Sequence, residues 1–304
     1  MFSLDSLSEE DLSYILDSEL TELKRLMSLT SDNQISLSEI WFLMDVVWDE
    51  MECDNKKLDP NKISQYYSHS VWLLNGLFIE NHDISLQHRR AIVSWISNHS
   101  VSRVLDFGGG VGTLARMLSE DQPSLDIEVY EPFPSQYALK KSSGFKNIKF
   151  INEPSSQYDC IICTDVLEHV PDPLQLLADM VKFTKVNGYL LIANHFFPCI
   201  KCHLPCTFHF RYTFDQFTDI MGLEKIGQIQ KNYISIYQKI PAKSDFDWPK
   251  IRRNELKSKA LFGFYEIRYV VYPLWKVRII RFLKNPIYEC SRIRDKVLAL
   301  FYRN

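Results

Sequence analysis

Residues 104–113 read Val104-Leu105-Asp106-Phe107-Gly108-Gly109-Gly110-Val111-Gly112-Thr113, an apolar strand that ends on Asp106-Phe107 and runs into a glycine-rich turn ahead of a helix. Glycines at such a turn adopt backbone angles closed to other residues and admit a ligand where a Cβ would otherwise stand. Around this turn, short β-rich runs (SRVLDF, DIEVY, IKFI, YDCIIC and GYLLIAN) alternate with helical stretches near 112–119, 134–142 and 173–185. That alternation predicts a doubly wound α/β fold with a mostly parallel sheet. Two further runs, LEKIGQIQ and YISIYQKI, are joined by Lys231-Asn232 and predict an antiparallel terminal hairpin, preceded by a helix around Phe214–Met221.

Residues 1–100 predict a helical cap. Ser8 with Glu9, Glu10 and Asp11 forms a capped, acidic helix start, and Leu12, Ile15, Leu16, Leu20 and Leu23 continue it as one amphipathic helix. A second helix runs from about Ser38 to Glu52 and a third follows Pro60. Their aromatic stripe (Trp41, Trp48, Tyr66, Tyr67, Trp72) is read first as core and second as a pocket lining. The domains expected are 1–100, 101–241 and a helical tail over 242–304.

Composition is that of a folded globular protein, with 46% hydrophobic and 24% charged residues. The seven cysteines are scattered without the spacing of a disulfide scaffold, which suggests a reducing compartment. The acidic start does not resemble a signal peptide, and no run of about 18 apolar residues offers a transmembrane helix. A cytoplasmic location is expected. The net charge of −3 is unevenly spread, because residues 250–304 hold 14 Lys and Arg against 4 Asp and Glu. That basic, aromatic tail suits an anionic membrane surface, which would make the protein peripheral at the inner face of the membrane; packing on the body is the alternative, and nucleic acid ranks behind both.

The chemistry is read from the turn. Glu131 lies about 20 residues past it, at the end of the next strand, where a carboxylate can accept both hydroxyls of a ribose. Dinucleotide and S-adenosylmethionine sites share that device. A dinucleotide fingerprint would need glycine where Thr113 stands, whereas Asp106, Gly108, Gly110 and Gly112 complete D-x-G-x-G-x-G and favour S-adenosylmethionine. Methyl transfer needs alignment, exclusion of water and an optional base. His195, directly after the fifth strand, is the candidate base, since ligands of open α/β sheets gather at the carboxyl ends of strands.

VLDFGGGVGT, EVYEP, YDCIICTDVLEHVPDP (158–173) and NGYLLIAN (187–194) resemble, in order, the motifs of class I S-adenosylmethionine-dependent methyltransferases. The resemblance covers about residues 100–240 and implies a seven-stranded sheet. It places Asp106, Gly108 and Gly110 beside the amino-acid part of the cofactor, Glu131 on its ribose, and Thr164 and Asp165 near the transferable methyl. Asn152-Glu153 departs from the acidic residue that contacts adenine in many relatives. The N-terminal SQYYSHSVWLLNGLFIE is similar to bacterial methyltransferases of surface-polysaccharide biosynthesis, which implies a sugar or glycan hydroxyl as acceptor. A lipid-soluble acceptor such as a quinone, or a non-catalytic cofactor-binding scaffold, are the alternatives.

Two metal readings are weighed and neither is adopted. In quinone O-methyltransferases the positions matching Asp165, Glu168 and His169 are associated with a divalent metal, but three groups so close in sequence rarely complete a site. Cys199, Cys202, Cys206 and His209 have the number of a zinc site without its paired spacing. The aromatic content around them suggests an acceptor-facing loop.

Overall fold

A computed structural model describes residues 2–30, 34–155, 157–241, 245–273 and 275. Six helices come first: α1 (Glu9–Ser13), α2 (Asp17–Met27), α3 (Leu37–Glu50), α4 (Pro60–Tyr67), α5 (Ser70–Glu80) and α6 (Asp83–Ser97). The start at Ser8 is as expected, its hydroxyl accepting the Asp11 amide at 3.0 Å. The single helix expected through Leu23 is instead two. Leu16 turns extended and its amide donates to the Glu19 carboxylate at 2.9 Å, so Asp17 and Glu19 open a second acidic first turn.

The sheet follows as β1 (Arg103–Phe107), α7 (Thr113–Asp121), β2 (Asp126–Tyr130), α8 (Gln136–Ser142), β3 (Ile148–Ile151), β4 (Tyr158–Thr164), α9 (Pro173–Phe183), β5 (Thr184–Ala193), α10 (Phe214–Ile220), β6 (Leu223–Ile229) and β7 (Ile234–Lys239). Strand order is β3-β2-β1-β4-β5-β7-β6. β1 to β5 are parallel, and β7 runs antiparallel to both β5 and β6. This is a seven-stranded, doubly wound α/β sheet that closes on an antiparallel terminal hairpin. The order reverses between β1 and β4, so the carboxyl ends of those strands open a crevice where crossovers leave to opposite sides.

One core joins the face of β1, β2, β4 and β7 to α6 and α7, through residues such as Ile92, Ile96, Val104, Leu118, Ile127, Ile162 and Ile236. A second fills the cap and reaches Val111, Tyr137 and Ala138, which ties the cap to the glycine turn and α8. Trp48 and Tyr66 belong to that core, ring edge to face at 5.0 Å, as the packing reading of the aromatic stripe expects. At Gly76 of α5 a Cβ would fall 2.3 Å from Val111 Cγ1, so only glycine lets the cap helix seat on the turn. A buried polar network fixes the same junction. Glu80 pairs with Arg116 and accepts the Tyr137 hydroxyl at 2.6 Å, while Lys141 bridges Glu80 and Asp11 at 3.2 and 2.8 Å.

The chain divides into two units, residues 1–246 and 247–304. Of the second, α11 (Trp248–Glu266) continues into a π-helical turn, Ile267–Val271. Along it Leu256, Phe264, Ile267, Tyr269, Tyr272 and Trp275 are exposed. The rest of the expected tail, 276–304, lies outside the described residues. Among the described residues no helix is long and apolar enough to cross a membrane.

Candidate active site

The glycine turn crosses the carboxyl end of β1 in left-handed backbone, with φ of +74° at Gly108, +57° at Gly110 and +77° at Gly112. Gly108 is confined on both counts, since a Cβ there would also meet Val166 Cγ2 at 2.5 Å. Gly110 differs: nothing lies within 4 Å of where its Cβ would be, so the space in front of it is open. Glu131 closes one side of that space. Its Oε2 accepts the Gly110 amide at 3.0 Å and its Oε1 accepts the Phe133 amide at 3.2 Å. Desolvation raises its pKa, partly opposed by those two amides. A carboxylate has about four acceptor positions, so two remain for a pair of hydroxyls.

Asp106, at the end of β1, is buried, and its Oδ2 has no hydrogen-bond partner among the described residues. Burial pushes its carboxyl up to about 7, even though Arg89 pulls it down. Arg89, the residue that acts on Asp106 in this way, is one that reading the sequence missed. It projects from α6, donates to Ser85 O at 3.1 Å, and keeps Nε buried without a partner among the described residues. Desolvation lowers its pKa, while the Asp106 and Asp165 carboxylates raise it. A signal was present: Arg89 occupies the helical stripe of Leu86, Ile92, Val93 and Ile96, where an apolar side chain is expected.

Thr164 and Asp165, at the end of β4, line a cavity of about 60 Å³ together with His88, Arg89 and Tyr233. The Asp165 backbone is left-handed at φ +55°, a conformation uncommon outside glycine, and its carboxylate accepts the Tyr233 hydroxyl. Tyr233 stacks on His88 at 4.2 Å. It also walls a larger cavity, about 380 Å³, lined by Asn194, Phe196, Phe197, Arg211, Tyr212 and Phe214 among others. Asn194 Oδ1 is buried there without a partner among the described residues.

His195 sits where β5 ends, half-buried between these features. Its amide donates to Glu168 Oε1 at 2.7 Å, its Nε2 lies 3.1 Å from Cys199 Sγ, and its ring leans on Phe197 at 4.9 Å. Burial lowers its pKa despite the pull of Asp165, so the ring is neutral at pH 7. The predicted residues Asp106, Gly108, Gly110, Gly112, Glu131, Thr164 and Asp165 thus gather at the carboxyl ends of β1, β2 and β4, with His195 just past the end of β5. Asn152 and Glu153 are exposed after β3. Among the described residues one set of three groups could hold a metal ion, and it is not the cysteine set: it is Glu168, His169 and His203.

A methyltransferase-domain family model matches residues 82–217. A ubiquinone biosynthesis O-methyltransferase of Vibrio cholerae is 27% identical over 151 residues, 46% of this chain and 61% of that protein. One from Aliivibrio fischeri is 26% identical over 149 residues, 45% of this chain and 63% of that protein. The matches thus span about three fifths of those curated relatives. Similar solved structures include the N-methyltransferase NodS of Bradyrhizobium japonicum in complex with S-adenosyl-L-homocysteine, 15% identical over 64% of this chain and 99% of that one, TM-score 0.41. Another is an O-methyltransferase family protein of Burkholderia thailandensis, 14% identical over 74% and 84%, TM-score 0.47.

Proposed function

We propose that the protein transfers the methyl group of S-adenosylmethionine to a hydroxyl. The observation that carries this reading is the pairing of Glu131 with the Gly110 amide beside open space, with the unpartnered Asp106 oxygen at the other end of the same turn. Such a cleft suits a ligand with a ribose at one end and an ammonium-carboxylate group at the other. Glu131 would hold the ribose hydroxyls, Asp106 the ammonium and Arg89 the carboxylate. When bound, the sulfonium supplies an activated methyl for in-line displacement. His195, neutral in its half-buried setting, would take the acceptor's proton as its oxygen bonds to the methyl carbon. Tyr233 and Phe197 would exclude water. Calorimetry of the purified protein with S-adenosylmethionine and with NAD tests the reading, and binding of NAD alone would reject it. Gly110→Arg should abolish cofactor binding and turnover together, whereas a scaffold would keep its association with the pocket filled.

For the acceptor we favour a sugar or glycan hydroxyl. The similarity of the N-terminal stretch to polysaccharide methyltransferases supports this, as does a 380 Å³ cavity that mixes rings with Asn194, Asp215 and Gln216. The second reading, a quinone, is favoured by the ubiquinone biosynthesis relatives. A screen of sugar nucleotides, lipid-linked glycans and hydroxylated quinones distinguishes them. The tail, through residues 250–304, is proposed to meet an anionic membrane surface, a reading supported by its charge and by the exposed rings of Phe264, Tyr269, Tyr272 and Trp275.

A further inference from the structure

Glu168 lies in a short 3-10 turn after β4 and His169 beside it, while His203 comes from the loop after β5. A carboxylate oxygen and one nitrogen from each ring all lie within 4.8 Å of one another. Glu168 and His203 are buried, and Glu168 Oε2 has no hydrogen-bond partner among the described residues. Each ring is oriented by a carbonyl: His169 Nδ1 donates to Cys202 O at 3.2 Å and His203 Nδ1 to Phe197 O at 2.7 Å. A carbonyl cannot donate, so the proton of each neutral ring is placed on Nδ1 and the lone pair falls on Nε2. The Glu168 carboxylate is held in turn by the His195 amide on Oε1, and the ring edges of Tyr67 and Trp72 pack against His169 at 6.1 and 5.8 Å. With both rings in this tautomer, two imidazole lone pairs and a Glu168 oxygen that has no partner among the described residues lie in one buried cluster.

We infer that Glu168, His169 and His203 form a binding site for a divalent transition-metal ion with open coordination positions. A bound metal ion makes this cluster favourable when Glu168 is ionised, and ligating histidines characteristically donate their second nitrogen to a carbonyl, as both do here. Two imidazoles and one carboxylate suit Zn²⁺, Co²⁺ or Mn²⁺, whereas Mg²⁺ and Ca²⁺ take oxygen ligands. The site is not the sequence-local set: Asp165 is turned to the Tyr233 hydroxyl, and His203, 34 residues beyond His169, takes its place. Metal binding here is independent of the methyl-transfer reading.

The test is titration of the chelator-stripped full-length protein with Co²⁺, read by its ligand-field absorption, and with Zn²⁺ by calorimetry, with Mg²⁺ as control. One equivalent of Co²⁺ and of Zn²⁺ should bind and Mg²⁺ should not compete. His203→Ala and Glu168→Gln should each weaken binding by about 100-fold or more, given that loss of an outer-shell partner alone costs about 10–100-fold. Asp165→Asn should leave the affinity unchanged. If His203→Ala does not fold, judged by its urea midpoint, the near-isosteric Glu168→Gln decides the question in its place. Absence of stoichiometric binding, which would mean that a proton on Glu168 satisfies the cluster, overturns the inference. So does binding that survives Glu168→Gln or is lost in Asp165→Asn.

Discussion

Replacing Asp106 by asparagine should make the cofactor-free protein less sensitive to alkali while abolishing cofactor capture. In the folded chain, desolvation lifts the Asp106 carboxyl to about 7, net of the attraction of Arg89. In the unfolded chain it returns to about 3.9. Its contribution to stability is therefore full below about pH 4 and is lost as pH rises through about 7. Between those values unfolding releases one proton, and each pH unit costs about 1.4 kcal/mol. From about pH 5 to about pH 8 wild type should lose about 2.5 kcal/mol on this account, most of it before about pH 7. The Asp106→Asn variant would carry no such dependence. Urea denaturation of both cofactor-free proteins at intervals across that range gives the difference directly, and the Glu168 carboxyl, also pushed up by burial, cancels because both proteins contain it. The stability gap should widen in favour of Asp106→Asn as pH rises. Parallel curves would refute the assignment of a protonated, buried Asp106.

Glu131→Ala should weaken S-adenosylmethionine by about 100-fold, the loss of two hydrogen bonds to a charged group at about 1.5 kcal/mol each, measured by calorimetry; an unchanged affinity removes Glu131 from the site. His195→Ala should reduce turnover by about 10²–10⁴-fold with cofactor affinity intact, and equal turnover would reject a base at that position. Wild-type turnover should hold down to the ordinary histidine range and fall only below it, because burial lowers the His195 pKa. Gly76→Val should cost about 1–3 kcal/mol by overpacking against Val111, and Val111→Ala should restore much of it; no rescue would mean the cap does not seat there. Deleting residues 250–304 should abolish sedimentation with acidic liposomes, and persistent sedimentation would place the membrane contact elsewhere.

The fold and half of the cleft were legible in the sequence because they depend on local rules. Strand periodicity, the glycines that need left-handed backbone at 108, 110 and 112, and the acidic residue one strand later are all encoded within about 30 residues, the length of a β-α-β unit. Even the hidden break before α2 left a trace in the Asp17 and Glu19 turn. What the sequence could not specify is which distant groups meet. Arg89 is one cation among many in the helical cap, and only the packing of α6 sets its charge against that of Asp106. Likewise His203 lies far along the chain from Glu168, and Asp165 stood nearer; only the placement of the loop after β5, and the carbonyls that orient both rings, decides which side chains converge. Backbone preference is set by neighbours in sequence, whereas burial and charge pairing are set by neighbours in space.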